Sequence, residues 1–333
     1  PIALGVVGEV KVGQASDVAV VSGACAGIAA GAPMPAGADA VLAPEYTDGG
    51  AHDVKVTAAS YTGQFVRRAG DDVATGDVVL AQGDLVDPRQ IGLLAGMGVE
   101  QVNVVPRPRV VVISAGAELV EPGRSAGAGE VHDANSYLLA ATVRAAGAIS
   151  YRVQVPSNDP AKLAEVLDDQ LVRADLVVVT GGRAHVARAA LSREPAMRFR
   201  DLAMLPGPSI GYGAMGPERT PVFVLPADPV AAYIAFTIFV APALRRLGHR
   251  DPESRPLFRA RLETDVRSVV GKRHYVCAEF ISDAQGARVK PVGGVGHLPG
   301  GLAKANALIV LREDVAVAKA NEPVPIILLD REY

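Results

Sequence analysis

Three short runs built almost wholly of apolar residues constrain this chain most: Val110-Val111-Val112-Ile113, Leu176-Val177-Val178-Val179 and Val222-Phe223-Val224-Leu225. A strand with one wet face alternates polar and apolar residues. A strand apolar at every position is buried on both faces, as happens where helices cover the two sides of a parallel sheet. Helix signals lie between the runs. Asp133-Ala134-Asn135-Ser136 offers caps for a helix over 137–145 that stops at Gly147, and Ser157-Asn158-Asp159-Pro160 opens another through Leu171 after the strand Tyr151-Arg152-Val153-Gln154-Val155. Pro226-Ala227-Asp228-Pro229 turns the last run into an apolar helix, with Asp228 placed as an N-cap and Pro229 at the first helical position. The pattern predicts a doubly wound α/β domain over about 107–250.

The flanks read differently. Residues 1–64 carry short β-type runs, Asp17-Val18-Ala19-Val20-Val21 and Ala40-Val41-Leu42, broken by Gly31, Pro33, Pro35 and an Asp48-Gly49-Gly50 turn, and are expected to form a β-rich unit. Residues 65–106 read as a connecting segment: a loop, the run Val78-Val79-Leu80, a helix capped by Asp87 with Pro88 first, and a Pro106-Arg107-Pro108 linker. Residues 251–333 alternate again, with an Asp283-Ala284-Gln285-Gly286 turn, and predict a C-terminal β unit.

Composition excludes several classes. With 33 basic and 36 acidic residues, a net charge of -3 and no cluster of Lys and Arg, the chain lacks the surplus that a nucleic-acid backbone requires. Cys25 and Cys277, far apart, offer neither a disulfide framework nor a thiolate metal site, which fits the cytoplasm. The apolar stretch over 230–244 is shorter than the ~20 residues that cross a bilayer and contains Pro242, so it is expected to be a buried helix rather than an integral membrane span. The sequence opens at Pro1 already strand-like, so no signal peptide is expected in it and the natural chain is expected to begin earlier.

In an open α/β sheet ligands sit outside the carboxyl ends of the strands. Ser114-Ala115-Gly116-Ala117-Glu118, His132-Asp133-Ala134-Asn135, Thr180-Gly181-Gly182 and Pro226-Ala227-Asp228-Pro229 are therefore expected to converge, and glycines beside helix N-termini favour an anionic, phosphate-bearing ligand. Asp133 fits two roles, a carboxylate that holds Mg²⁺ or orients a nucleophile, and a helix cap. Asp71 and Asp72 are either solvated turn charges or a metal or cross-domain contact. His185 reads as a surface or capping histidine, and Gly271-Lys272-Arg273-His274 as an exposed turn in preference to an anion site.

Read in order, these segments resemble the molybdopterin molybdenumtransferases, the family of bacterial MoeA and the gephyrin E domain. Gly31-Ala32-Pro33-Met34-Pro35-Ala36-Gly37-Ala38-Asp39-Ala40-Val41 is similar to the family's T-G-A-P-x-P-x-G-A-D-A-V, and Val66-Arg67-Arg68-Ala69-Gly70-Asp71-Asp72-Val73 to I-R-x-x-G-E-D-I. Asp133-Ala134-Asn135 matches D-x-N, Thr180-Gly181-Gly182 matches S/T-G-G, and Leu225-Pro226-Ala227-Asp228-Pro229-Val230 matches L-P-G-N-P-V. The resemblance implies a β-rich N-terminal unit, a molybdopterin-binding-like α/β domain and a C-terminal β-barrel-like unit. It implies a homodimer that inserts molybdate into adenylylated molybdopterin with a divalent cation such as Mg²⁺. On this reading Asp133 is catalytic, and Asp72, Asn135, Thr180, Gly181, Gly182, Pro206, Gly207, Pro226 and Pro229 bind substrate.

The chain departs from the family where the anion would be held. The K-P-G-K-P motif is Leu205-Pro206-Gly207-Pro208-Ser209, the family's Ser-Ser pair is Gly300-Gly301, and T-G-D-E-L is Ala115-Gly116-Ala117-Glu118-Leu119. Two lost charged hydrogen bonds correspond to ~3–6 kcal/mol, or roughly 10²–10⁴ in affinity. Arg183, Arg188 and Arg273 are the candidates for substitute charge. A second reading follows from the same erosion: a non-catalytic, gephyrin-like dimeric scaffold that docks a short peptide tail of a membrane or cell-division protein.

Overall fold

The computed structural model describes residues 1–181, 184–251, 256–293 and 299–329, with 184 and 185 described by their backbone only. The chain divides into two compact units, Pro1–Leu85 and Val86–Tyr333.

In the first unit β1 (Ile2–Val10) pairs in parallel with β2 (Ala24–Ile28) and antiparallel with β3 (Asp53–Val56). The turn before β3 forms as expected, because the Asp48 carboxylate accepts from the N–H groups of Gly50 and Lys55 at 3.2 and 2.9 Å. The other expected runs are not strands. Ala19 makes a single bridge to Ala36, since the chain crosses itself there: a Cβ on Gly37 would lie 2.1 Å from the Val20 carbonyl oxygen. The Val41 N–H donates to the Gln64 carbonyl outside any ladder.

Residues 61–84 are organised by a repeated turn instead. In Arg68-Ala69-Gly70-Asp71, Ala74-Thr75-Gly76-Asp77 and Ala81-Gln82-Gly83-Asp84 the glycine has positive φ, and the aspartate carboxylate accepts from the first residue's N–H at 2.7–2.8 Å. Glycine at the third position of such a turn is what its φ demands. The last two turns leave only Val78-Val79-Leu80 between them, too little to pair, and that run is not a strand either.

The second unit opens with α1 (Pro88–Gly96), capped by Asp87. Then follow β4 (Arg109–Ala115), the short pair β5 (Leu119–Val120) and β6 (Val131–His132), α2 (Ala134–Ala145), β7 (Ile149–Val155), α3 (Pro160–Leu171), β8 (Leu176–Thr180) and α4 (Ala184–Leu191). After them come β9 (Arg198–Asp201), β10 (Met204–Leu205), β11 (Ser209–Met215) and β12 (Thr220–Val224). One six-stranded sheet has the order β7-β4-β8-β12-β11-β9, parallel through β12 and antiparallel beyond it. The apolar runs bury alternate residues in two cores. Val111, Ile113, Val177 and Val179 pack with Leu163 and Leu167 of α3, and Val110, Val112, Leu176 and Val178 pack with Leu139 and Val143 of α2. Each such valine contributes roughly 1.5–3 kcal/mol of burial.

After β12 the chain runs helically from Pro229 to Leu247 as α5 (Pro229–Ala235), a π-turn Phe236–Val240 and α6 (Ala241–Leu247). The π-turn falls just before Pro242, whose ring and missing N–H disrupt regular helical bonding. The helix is thus 19 residues long, longer than the apolar stretch indicated, with a mean hydropathy of 1.5. Among the described residues it is the one helix long and apolar enough to cross a membrane, yet it is packed on both sides. Ala232, Phe236, Val240 and Leu244 enter the α/β core, while Val230 and Ile234 meet Tyr275, Cys277, Leu308 and Ile327.

Those last residues belong to the C-terminal sheet, formed by β13 (Phe258–Leu262), β15 (Arg273–Asp283), β16 (Gly286–Pro291), β17 (Ala307–Leu311) and β19 (Pro323–Leu328), while β14 (Val266–Arg267) and β18 (Val317–Ala318) pair separately and a short α7 (Pro299–Leu302) precedes β17. The order β15-β16-β13-β19-β17 closes on itself because β17 also pairs with β15, giving a five-stranded barrel. Period-2 alternation fills it: Ala260, Leu262, Ile309, Leu311, Ile326 and Leu328 point inward. A sixth strand, β10, adds to β15 at Met204 opposite Arg273, so the chain entering Pro206 and Gly207 is stitched to the barrel.

Candidate functional site

The chain leaves β4 for β7 on one side and returns to β8 on the other, so the sheet order reverses between β4 and β8. A crevice at the carboxyl ends of those two strands is where an open α/β sheet holds a ligand. Ser114 and Thr180 stand opposite each other in the last rung of that pairing.

The expected loops do gather there. The Asn135 amide, 5% exposed, donates through Nδ2 to Thr180 Oγ1 at 2.9 Å and to the Ala227 carbonyl at 2.8 Å. The Thr180 hydroxyl donates to the Pro226 carbonyl at 3.1 Å. Gly181 has φ +84, and a Cβ there would come 3.0 Å from Leu119 Cδ1 and 3.4 Å from Ala115 N. Gly207, at φ +66 after a cis Leu205–Pro206 bond, lies so close to Ala231 and Pro226 that a Cβ would fall 2.6 and 2.8 Å from their side chains. Asn135, Thr180, Gly181, Pro206, Gly207, Pro226 and Pro229 therefore share one rim, with Pro229 as the first residue of α5 and Asp228 capping it through the Ala231 N–H at 2.8 Å. The Asn135 Oδ1 is buried and accepts no hydrogen bond from the described residues. An unmet acceptor inside a strand-end cluster is a group a ligand or water can satisfy.

Asp133 fills the helix-cap role, the second of the two expected of it. It is 1% exposed and caps α2, with Oδ1 accepting from the Ser136 N–H at 3.0 Å and Oδ2 from the Ser136 and Ser114 hydroxyls at 2.7 and 2.5 Å. Three donors meet its oxygens, and the carboxylate so held orients the Asp133-Ala134-Asn135 turn. The helix consequently begins at Ala134, three residues before the expected start. The cap extends outward through residues that sequence reasoning missed. Arg152 Nε donates to Ser136 Oγ at 2.9 Å, its Nη2 reaches Glu121 Oε1 at 3.0 Å, and its guanidinium lies 3.4 Å from the centre of the Tyr137 ring. The Tyr137 hydroxyl donates to Glu121 at 2.6 Å, and that carboxylate raises the phenol above its usual pKa. Sixteen positions separate Ser136 from Arg152, and no local pattern marks the pair.

Other expectations fall elsewhere. Asp72 is exposed in the Pro1–Leu85 unit, where Asp71 closes the turn from Arg68. Gly182, Arg183 and the His185 side chain lie outside the described residues. Arg188 sits over the Phe199 ring, and Arg273 pairs with Glu313 at 2.9 Å, so Arg273 is not a spare cation. Gly271-Lys272 forms the expected turn before β15. Among the described residues no three His, Cys, Asp or Glu side chains cluster as a metal site.

Comparison with known proteins gives this geometry its context. Residues 4–98 match the family model "MoeA N-terminal region (domain I and II)", residues 111–246 "Probable molybdopterin binding domain" and residues 259–329 "MoeA C-terminal region (domain IV)". Molybdopterin molybdenumtransferase 1 of Mycobacterium tuberculosis is 41% identical over 310 residues, covering 90% of this chain and 72% of its own length. Molybdopterin molybdenumtransferase 2 of the same organism is 35% identical over 333 residues, covering 96% and 81%. The crystal structure of the MoeA molybdopterin biosynthesis protein from Pyrococcus horikoshii superposes with a TM-score of 0.79 at 26% identity, over all of this chain and 82% of that one. The closed barrel, the doubly wound sheet and the β-rich N-terminal segment are the parts of that fold. The similarities place the protein in molybdenum cofactor biosynthesis, and the chain belongs to the MoeA family of molybdopterin molybdenumtransferases.

Proposed function

We propose that this protein binds adenylylated molybdopterin at the rim between β4 and β8, releases AMP and inserts molybdate into the dithiolene. The observation that carries the reading is the Asn135 knot, which ties the ends of two strands and the start of two helices together and, among the described residues, leaves a buried acceptor unmet. Gly181 and Gly207 let the loops of that rim pack closely, and Thr180, Pro206, Pro226 and Pro229 shape it. A phosphate oxygen seated there meets backbone N–H groups at the start of α2 and the partial positive charge of its dipole. Asp133 acts by holding Asn135 in place. Gly182 joins the substrate-binding set on the strength of the resemblance.

A divalent cation such as Mg²⁺ belongs to the same proposal, but the described residues do not form a nest for it. The cation is accordingly assigned to the substrate, as Mg²⁺ is commonly carried by phosphates with few protein ligands. The homodimer and the cytoplasmic setting are likewise part of the proposed reading. The peptide-docking scaffold has no observation of its own in its favour. Incubation with adenylylated molybdopterin, Mg²⁺ and molybdate tests the proposal: AMP should appear in step with molybdenum incorporation, and no release above a protein-free control overturns it.

A further inference from the structure

We infer that Arg152 is a positioning residue for the rim, a clamp that fixes the first turn of α2 and the start of the 121–130 loop in one geometry. Its guanidinium serves two segments at once. Nε donates to Ser136 Oγ at 2.9 Å, and the Ser136 hydroxyl, so oriented, donates onward to Asp133 Oδ2 at 2.7 Å. Nη2 donates to both oxygens of Glu121 at 3.0 and 3.3 Å, and Glu121 follows directly on β5. The Tyr137 ring closes the third side, with its hydroxyl on the same carboxylate.

The clamp is more than a surface ion pair. Arg152 and Glu121 side chains are 28% and 37% exposed, so solvent screens them less than a fully exposed pair, and the flat fork is stacked on an aromatic face. The chain of donors also points one way, from Arg152 through Ser136 to the carboxylate of Asp133, a residue that is 1% exposed and is held by Ser114 near the end of β4. Each bond in such a chain polarises the next. Without Arg152 the Ser136 hydroxyl is free to rotate off Asp133, and the Asp133-Ala134-Asn135 turn loses the restraint that aims Asn135 at Thr180 and Ala227. Lysine cannot replace it, because one ammonium does not reach Ser136 and Glu121 with two in-plane donors.

Two readouts test the clamp, the first independent of function and the second resting on the function proposed above. In amide hydrogen exchange, Arg152→Gln should speed exchange of the Ser136 N–H about tenfold while leaving barrel strand β17 unchanged, with Arg152→Lys intermediate. Equal exchange in variant and wild type, or a rise spread equally over the barrel, overturns the inference. In titration with molybdopterin, Arg152→Gln should weaken binding about tenfold, and adding it to Ser136→Ala should weaken binding no further. Wild-type affinity in Arg152→Gln, or full additivity of the two changes, overturns the binding part. No binding by the wild type overturns the functional reading instead, and the exchange result still decides the clamp.

Discussion

Gly207 packs its α-carbon against Pro226 and Ala231 at a positive φ, two demands that only glycine meets together. Gly207→Ala should cost about 1–3 kcal/mol in unfolding free energy by chemical denaturation, from the strained backbone and the crowded Cβ, and should weaken molybdopterin binding in the protein that still folds. One position along, Pro208 stands where the family carries a lysine. A charged hydrogen bond is worth about 1.5–3 kcal/mol, so Pro208→Lys should lower the molybdate concentration for half-maximal AMP release by roughly tenfold or more. No change there shows that this position does not face the anion. At this scale the sequence was legible where a local rule applies: Asp87, Asp159 and Asp228 each precede a proline and each caps its helix. Asp133 kept two meanings because its partners Ser114 and Ser136 lie 19 and 3 residues away, and only the fold decides which it meets. Arg152 was illegible for the same reason.

Among the elements, continuous apolar runs were the clearest text. β4, β8 and β12 extend each expected run by no more than a few residues, because burial on both faces leaves no other role for such sequence. The N-terminal runs misled, since alternation and β-branching cannot reveal whether a partner strand exists. There, glycine turns closed by a carboxylate dominate, and the frame recurs beyond the first unit: the Gly127 N–H donates to Glu130 at 2.7 Å with Gly129 at positive φ, and the Lys319 N–H to Glu322 at 2.8 Å with Asn321 in that place. The helix from Pro229 to Leu247 shows how an apolar stretch long enough for a bilayer serves as a core instead. Phe236, 1% exposed, sits at its centre against the α/β sheet. Phe236→Ala should therefore destabilise by about 3–5 kcal/mol, measured as a shift in the denaturation midpoint at constant slope. A cost below 1 kcal/mol contradicts its place in that core.

For the molecule as a whole, paired carboxylates set the pH range. Arg109 holds Asp175 below the ordinary carboxylate pKa, Lys319 does so for Asp265 and Arg89 for Asp87, while the Gln285 N–H and then Arg288 lower Asp283. A carboxyl with a depressed folded pKa stabilises above its unfolded value and loses that contribution as pH falls through the folded one. The Tm should thus be flat with respect to these groups from pH 7 to about 5 and fall progressively below about pH 4. A Tm unchanged down to pH 2.5 contradicts those pairings. The architecture that unites the α/β layer and the barrel was legible in the order of motifs, and the family relationship bears it out over nearly the whole chain. What the order could not supply is the pairing of β10 to the barrel, which depends on contacts between residues some 70 positions apart. The most direct test of the rim as the ligand site is a calorimetric titration of molybdopterin into wild-type protein and Asn135→Ala. The account predicts saturable binding by the wild type and at least tenfold weaker binding by a folded Asn135→Ala. Absence of binding by the wild type, or equal affinity in the two, contradicts it.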